Sequence, residues 1–373
     1  MVKARNQIIR EDPNTFLEIN LKSLKKNYDI VKKKVSSDCL VAATVKANAY
    51  GLGVEPVAKL LIKNKCNNFF VATLSEGLEL RKLNKRILIY VLNGLNNKKI
   101  NLFYKYNLVP VINNLNQLKR AEKFTLKLKK SLKIALHFDT GMSRLGFDSQ
   151  ETEFLIKNKH KLIKQTKIIL IMSHLACADN PMNKKNRSQL NSFKKISKHF
   201  PEVKLSLANS AGILLGKEYH FDVARPGISL YGGQSTLNEK NIYNPVVSLK
   251  APIIQTRRIN KGQTIGYGAT FKAKKKMLIG TIPVGYADGF NRLLSNQIDL
   301  YFRGEKVKLV GRISMDLVTV DLSKFMKNKK ITNNYIELIN KKNNINYLSK
   351  VISTIPYEIL TSLGKRYQRR YIA

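Results

Sequence analysis

The sequence predicts an α/β protein: a (β/α)8 barrel over residues 1–245, then a mostly β domain over 246–373, with the first residues able to join the second domain. Three observations carry this. Eight short apolar runs alternate with amphipathic segments as far as Tyr231. The texture changes near Pro245. The length, 373 residues with 43% hydrophobic side chains, exceeds what a single core usually covers unless the fold is a barrel.

The eight runs are Leu40–Val45, Phe69–Thr73, Ile87–Leu92, Leu108–Ile112, Lys133–Phe138, Ile168–His174, Val203–Leu207 and Phe221–Tyr231. The first, LVAATV, is apolar throughout, as a strand buried on both faces should be. Between the runs lie helical patterns. Val54–Lys65 places Val54, Val57, Ala58, Leu61 and Ile62 on one face, and Ser75–Leu83 begins with a capping pattern. Strand–helix alternation requires parallel pairing with crossover helices, and eight such units suggest a closed barrel. From Val246 to Leu322 the chain reads as β runs with Gly and polar turns, an antiparallel texture. The Lys/Asn-rich stretch Lys324–Asn346 reads as loop or weak helix.

Lys and Arg number 67 against 25 Asp and Glu, a net charge of +42. A nucleic-acid binder would cluster Arg, interleave aromatics or carry a known module. Here the excess is mostly Lys, scattered along the chain with many Asn and Ile, as an AT-rich genome would write it, so no specific nucleic-acid partner is expected. Cys39, Cys66 and Cys177 are odd in number, far apart and without a CxxC or a His at metal spacing. They suggest reduced thiols, a cytoplasmic location and no metal. The N-terminus has no apolar export run and no segment is long enough to span a membrane, so no membrane association is expected.

One residue stands out chemically. Lys46 ends the first predicted strand, in VKANAYGLG, among the small neighbours Ala47, Asn48, Ala49, Gly51 and Gly53. Barrel active sites sit at the C-terminal ends of strands, and a lysine there can form a Schiff base with a carbonyl cofactor. In a chain so rich in Lys, a solvated charge is the competing reading.

VKANAYGLG resembles the cofactor-lysine segment of alanine racemases. HFDTGMSRLGF, SHLACADN, LANSAG, ARPGISLYG, IGYGATF, PVGYADGF, GRISMDLVTVDL and PYEILTSLGKRYQRRY continue the resemblance in order along nearly the whole chain. Nine ordered blocks exclude coincidence. The resemblance implies a pyridoxal 5'-phosphate (PLP)-dependent isomerase that interconverts L- and D-alanine and supplies D-alanine for peptidoglycan. It implies a head-to-tail homodimer with active sites shared between subunits. Lys46 would hold PLP and act as one base, and Tyr267 of the other subunit would be the second. Racemisation removes a proton from one face of Cα and returns one to the other, so two bases on opposite faces are the simplest arrangement. Arg225 would face the pyridine nitrogen, and His174 would orient Arg225 and the tyrosine. Tyr50, Ser210, Tyr357 and the N–H groups of Gly227 and Ile228 would take the phosphate. Arg144, Tyr286, Met315 and Asp316 would surround the substrate, with Arg144 and the Met315 N–H at its carboxylate. Without the resemblance, Tyr267 reads as a packing or turn residue, Asp316 as a turn residue, Arg225 as part of a strand-end turn, Ser210 as a turn or helix cap and Met315 as core.

The sequence departs from the family pattern in two places. His137 stands where a lysine, often carbamylated, usually steadies the substrate-binding arginine, so weaker positioning of Arg144 is expected. A bound anion could compensate. Leu52 replaces a histidine of the usual GHG, a change expected to leave function intact. Ser314 for the usual Cys is milder. Broad-specificity and serine racemases share these blocks and remain the alternative, since substrate range is not written in them. Barrel-type decarboxylases lack the GYGATF tyrosine in this role.

Overall fold

The computed structural model describes residues 15–95, 99–237, 240–327 and 331–373. It divides into two compact units, Leu21–Asn244 on one hand, and the described residues before Leu21 with Pro245–Ala373 on the other.

In the first unit, Ala43–Thr44, Asn68–Val71, Leu88–Val91, Val109–Ile112, Lys133–His137, Lys167–Met172 and Lys204–Ser206 pair in parallel in chain order. Leu40–Val41, just ahead of the first of these, pairs in parallel with Val223–Ala224. Val223–Ala224 is tied to the Lys204–Ser206 side by Asp222 N–H donating to Leu205 O (3.1 Å) and Arg225 N–H to Ala208 O (2.9 Å). The ring is thereby closed over eight strand positions. The interior is filled by Ala42, Phe70, Tyr90, Val109, Val111, Ala135, Leu170, Met172 and Val223. The barrel is thus a packed core and not a pore, and Phe70 stacks on Tyr90 with ring centroids 4.5 Å apart.

Helix Val54–Lys63 buries Val54, Val57, Ala58 and Leu61 of the face its spacing predicts, and leaves Ile62 half-buried at its edge. Helix Leu74–Leu83 starts from a capping box in which Thr73 and Glu76 each accept the other's backbone N–H. The eighth run is shorter than predicted. Only Val223–Ala224 is strand, and Ile228–Tyr231 forms a 3-10 turn. Pro226 is the physical reason, since it has no N–H to offer a ladder and its ring fixes φ.

The second unit holds a six-stranded sheet in the order Glu305–Lys308, Asp299–Phe302, Tyr335–Ile339, Val247–Pro252, Phe16–Asn20, Gln368–Ile372. A three-stranded antiparallel sheet (Gln255–Ile259, Met277–Ile282, Val318–Asp321) and the hairpin Thr264–Ile265/Phe271–Lys272 accompany it. One reading of the sequence needs correction. Lys324–Asn346, expected as loop or weak helix, contains the strand Tyr335–Ile339, which lies inside the large sheet. Ile336 and Leu338 point inward. That two-residue alternation is genuine but brief, and the flanking Asn and Lys conceal it. Among the described residues no helix is long and apolar enough to cross a membrane.

Candidate active site

Lys46 does not end the first strand; it follows Ala43–Thr44 and begins a short turn, Lys46–Tyr50. Ala47, Asn48, Ala49 and Tyr50 all have φ between 52° and 57°. Left-handed backbone costs an L-residue roughly 1–2 kcal/mol, so four in succession need external support. Glu76 supplies part of it. One carboxylate oxygen accepts from Ala47 N–H (2.7 Å), the other from Ala72 and Thr73 N–H. Asn48 Oδ1 accepts from Val54 N–H (2.7 Å). The turn directs Lys46 to the barrel mouth, where burial and then the Arg144 charge hold its amine below the ordinary lysine value, against a smaller opposing pull from Glu76. A lysine so placed is shifted toward the neutral, nucleophilic form.

Arg225 is 4% exposed. Its guanidinium donates to the Ser206 hydroxyl, to Ser173 O (2.6 Å), to Leu207 O (3.3 Å) and to His174 Nδ1 (3.4 Å). No carboxylate of the described residues pairs with it. Burial pushes it down to about 9, which leaves it a cation at neutral pH. Because a guanidinium only donates, His174 Nδ1 must accept, and the imidazole proton sits on Nε2. Burial, reinforced by Arg225, Arg144, His137 and Lys46, pushes His174 well below its ordinary value, so it is neutral.

Beside these groups lies a close-packed corner. A Cβ on Gly227 would come within 2.2 Å of the Tyr50 hydroxyl, so any other residue there would force the Tyr50 ring to shift. Tyr50 packs on Tyr231, ring centroids 4.6 Å apart, and the Tyr231 hydroxyl donates to Thr44 O. Ser210 Oγ accepts from Gly227 N–H (2.8 Å) and Ser229 N–H (3.3 Å). Ile228 N–H donates to no described residue. Tyr50, Ser210, Gly227 and Ile228 thus adjoin one another, and the Gly227 N–H is engaged by Ser210.

Arg144 sits on a turn organised by Asp139, a residue that sequence reasoning passed over. Its carboxylate accepts from the N–H groups of Gly141, Met142 and Ser143. Burial opposes its ionisation, but these three donors outweigh it and hold the carboxyl below its ordinary value. Arg144 is exposed and forms no hydrogen bond or ion pair with a described residue. His137, last in its strand, lies 2.8 Å from Asn113 Oδ1 through Nδ1. The Asn113 amide donates to Leu92 O and Val111 O, which turns its oxygen to His137 and puts the proton on Nδ1. Burial, then Arg225, pushes His137 down to about 4, with Asp139 opposing. The histidine is therefore neutral, and it is committed to Asn113.

The remaining candidates lie in the second unit. Tyr267 opens a 3-10 turn between Gly266 and Gly268, both at φ 69°, and is 72% exposed. It lines a cavity of about 690 Å³ with Arg257, Arg258, Arg312 and Ser314. Arg312 fills the space a Cβ on Gly268 would need. Tyr286 and Met315 are exposed and adjacent. Tyr286 N–H donates to Ser314 O (3.1 Å) and Ala287 N–H to Met315 O (3.1 Å). Asp316 pairs with Arg366 (2.8 Å). Tyr357 is half-buried on helix Pro356–Ser362. No group of His, Cys, Asp and Glu suited to a metal ion occurs among the described residues.

Two family profiles match, the alanine racemase N-terminal domain over residues 19–235 and the alanine racemase C-terminal domain over residues 246–371. An alanine racemase of Rickettsia akari is 44% identical over 357 residues, 95% of this chain and 98% of the relative's. The crystal structure of alanine racemase from Bartonella henselae, with covalently bound pyridoxal phosphate, superimposes with a TM-score of 0.90 at 36% identity, over 96% of this chain and 99% of that one. The biosynthetic alanine racemase of Pseudomonas aeruginosa gives 0.88 at 30% identity, over 96% and 99% of the two chains. The chain belongs to the alanine racemase family, a family of PLP-dependent isomerases.

Proposed function

We propose that this protein interconverts L- and D-alanine with PLP held on Lys46, by a two-base mechanism completed by Tyr267 of a second copy. The observation that carries the reading is the set of groups around Lys46: an amine shifted toward neutrality, a buried cation with no carboxylate partner among the described residues and a corner closed by Gly227. They suit a phosphorylated pyridine aldehyde. Lys46 can hold the aldehyde carbon, and Arg225 the ring nitrogen. Tyr50, Ser210, Gly227, the uncommitted Ile228 N–H and Tyr357 can hold the phosphate.

When bound, PLP supplies an electron sink for the charge left on the substrate Cα. Every other task falls to the chain. Lys46 Nζ takes a proton from one face of Cα or returns it. The Tyr267 hydroxyl does the same at the other face. Its exposure, with that of Tyr286, Met315 and Leu317, supports a face covered by a second copy in a homodimer. Arg225 would hold the ring nitrogen as a donor without protonating it, which would limit the sink and favour prompt reprotonation. His174, accepting from Arg225 at Nδ1, keeps an Nε2–H with which to orient Tyr267. Arg144 and the Met315 N–H, which donates to no described residue, take the substrate carboxylate. Product D-alanine would feed peptidoglycan synthesis in the cytoplasm.

The test is D-alanine formation from L-alanine by purified protein saturated with PLP, with Lys46→Ala beside it. Activity in the wild type and its loss in the variant, by at least ~10³-fold, is the expected result. No D-alanine despite bound PLP would sink the alanine assignment and turn attention to serine or larger amino acids.

A further inference from the structure

We propose that Arg366 is a positioning residue for the substrate carboxylate, a clasp that pairs with both Asp288 and Asp316 and so holds the turn carrying Met315 in place. The inference deepens the proposed function and rests on its assignment of the Met315 N–H to that carboxylate.

Three segments meet here at backbone level. Ser314–Leu317 closes on itself, with Ser314 N–H donating to Leu317 O (3.0 Å) and Leu317 N–H to Ser314 Oγ (3.0 Å). This turn leans on the Tyr286 turn so closely that a Cβ on Gly285 would lie 2.1 Å from Met315 O. The Tyr286 turn in turn meets the C-terminal segment. Gly364 N–H donates to Asp288 O (2.9 Å), and a Cβ on Gly289 would lie 2.0 Å from Ser362 O. Arg366, from that C-terminal segment, is the side chain that ties all three. Its Nε reaches Asp288 Oδ1 at 2.6 Å and its Nη1 reaches Asp316 Oδ1 at 2.8 Å.

The two arms differ in kind. The Asp288 side chain is 7% exposed, and its second oxygen accepts from Gly285 N–H (3.0 Å). Arg366 is the one cation paired with Asp288 among the described residues, and a buried carboxylate that loses such a partner is left uncompensated, so this arm anchors. The Asp316 side chain is 55% exposed, where an ion pair contributes little stability. Its consequence is electrostatic. Asp316 follows Met315 directly, so without Arg366 a bare carboxylate would stand beside the site meant for the substrate's own. Arg366 thus does two things at once: it fixes the donor and neutralises a repelling neighbour.

The experiment uses the holoenzyme with Arg366→Ala and Arg366→Lys. Arg366→Gln replaces the alanine variant if that one does not fold. Backbone hydrogen exchange is followed in peptides covering residues 283–290 and 312–318, and kcat and KM are measured in both directions. Arg366→Ala is expected to speed exchange in both peptides at least tenfold, and to raise KM for alanine about tenfold with kcat within threefold, the pattern of lost carboxylate binding. Arg366→Lys should recover part of each. Adding Asp316→Asn to Arg366→Ala should lower KM again without slowing exchange, because it removes the repulsion and not the looseness. Unchanged exchange overturns the clasp, whatever the protein racemises. Faster exchange with unchanged KM overturns its link to the carboxylate. A wild type that racemises no alanine is a failure of the proposed function, and exchange reads the clasp separately.

Discussion

The barrel mouth and the Tyr267 face of the β unit carry one proposed base each, and they are built in opposite ways. Around Lys46 the chain completes its own environment. Glu76 supports the left-handed turn, Arg225 is held by four acceptors, and burial sets the protonation of Lys46, His174 and His137. Around Tyr267 almost nothing is complete. The ring is 72% exposed on a turn held by two glycines at positive φ. A base buried in its own unit can have its pKa set by that unit, whereas an exposed one must have it set by whatever covers it.

That contrast can be broken most decisively by Tyr267→Phe. If the two bases are independent in construction, the variant should keep its melting temperature and its PLP. It should lose about 10²–10³-fold in racemisation, yet still exchange the Cα proton of one alanine enantiomer with deuterated solvent, because Lys46 still serves one face. Exchange of neither enantiomer by NMR would mean that Tyr267 also builds the Lys46 side. Gly227→Ala probes the self-completed side. With the Tyr50 hydroxyl 2.2 Å from the new Cβ, overpacking of about 1–3 kcal/mol is expected. PLP affinity should fall as well, read by absorbance titration. A variant that melts and binds PLP like the wild type would show the corner to be slack.

A smaller effect concerns pH. His137 is neutral down to about 4 when folded, whereas an unfolded histidine protonates near 6.5. Between these values the unfolded chain binds the extra proton. Stability should therefore be full above pH ~6.5, fall as pH drops towards 4 and level off below, a loss on the order of 3 kcal/mol. Denaturant melts of His137→Gln should show a shallower fall, His174 supplying what remains. The smallest effect expected is that of His137→Lys, a few-fold change in KM or kcat through Arg144. Because the imidazole is committed to Asn113 and Arg144 has no described partner, kinetic constants that did not move would show that Arg144 needs no steadying from this position.

Legibility in the sequence followed the length scale of the interaction. The barrel strands and a helix over Ser75–Leu83 were readable because apolar runs and capping patterns act over a few residues, although the cap itself is Thr73, just ahead of the predicted start. Strand Tyr335–Ile339 was not, because its alternation is only five residues long amid Asn and Lys. Glu76 shows the limit within one side chain. Its Oε2, which accepts from Ala72 and Thr73, follows from the local pattern; its Oε1, 29 positions away on Ala47, does not.

By itself the sequence determined the two-unit layout, the family and the residue types at every candidate position, since hydrophobic period and motif order are written along the chain. Tertiary structure alone decided that Lys46 leaves its strand on a left-handed turn, and that Arg225 is a buried cation among neutral acceptors. It also decided that His137 is spoken for by Asn113 and that Asp316 is answered by Arg366. Each of these depends on burial or on atoms brought within about 3 Å from distant parts of the chain. Desolvation and hydrogen bonding act through space and leave no period in the sequence.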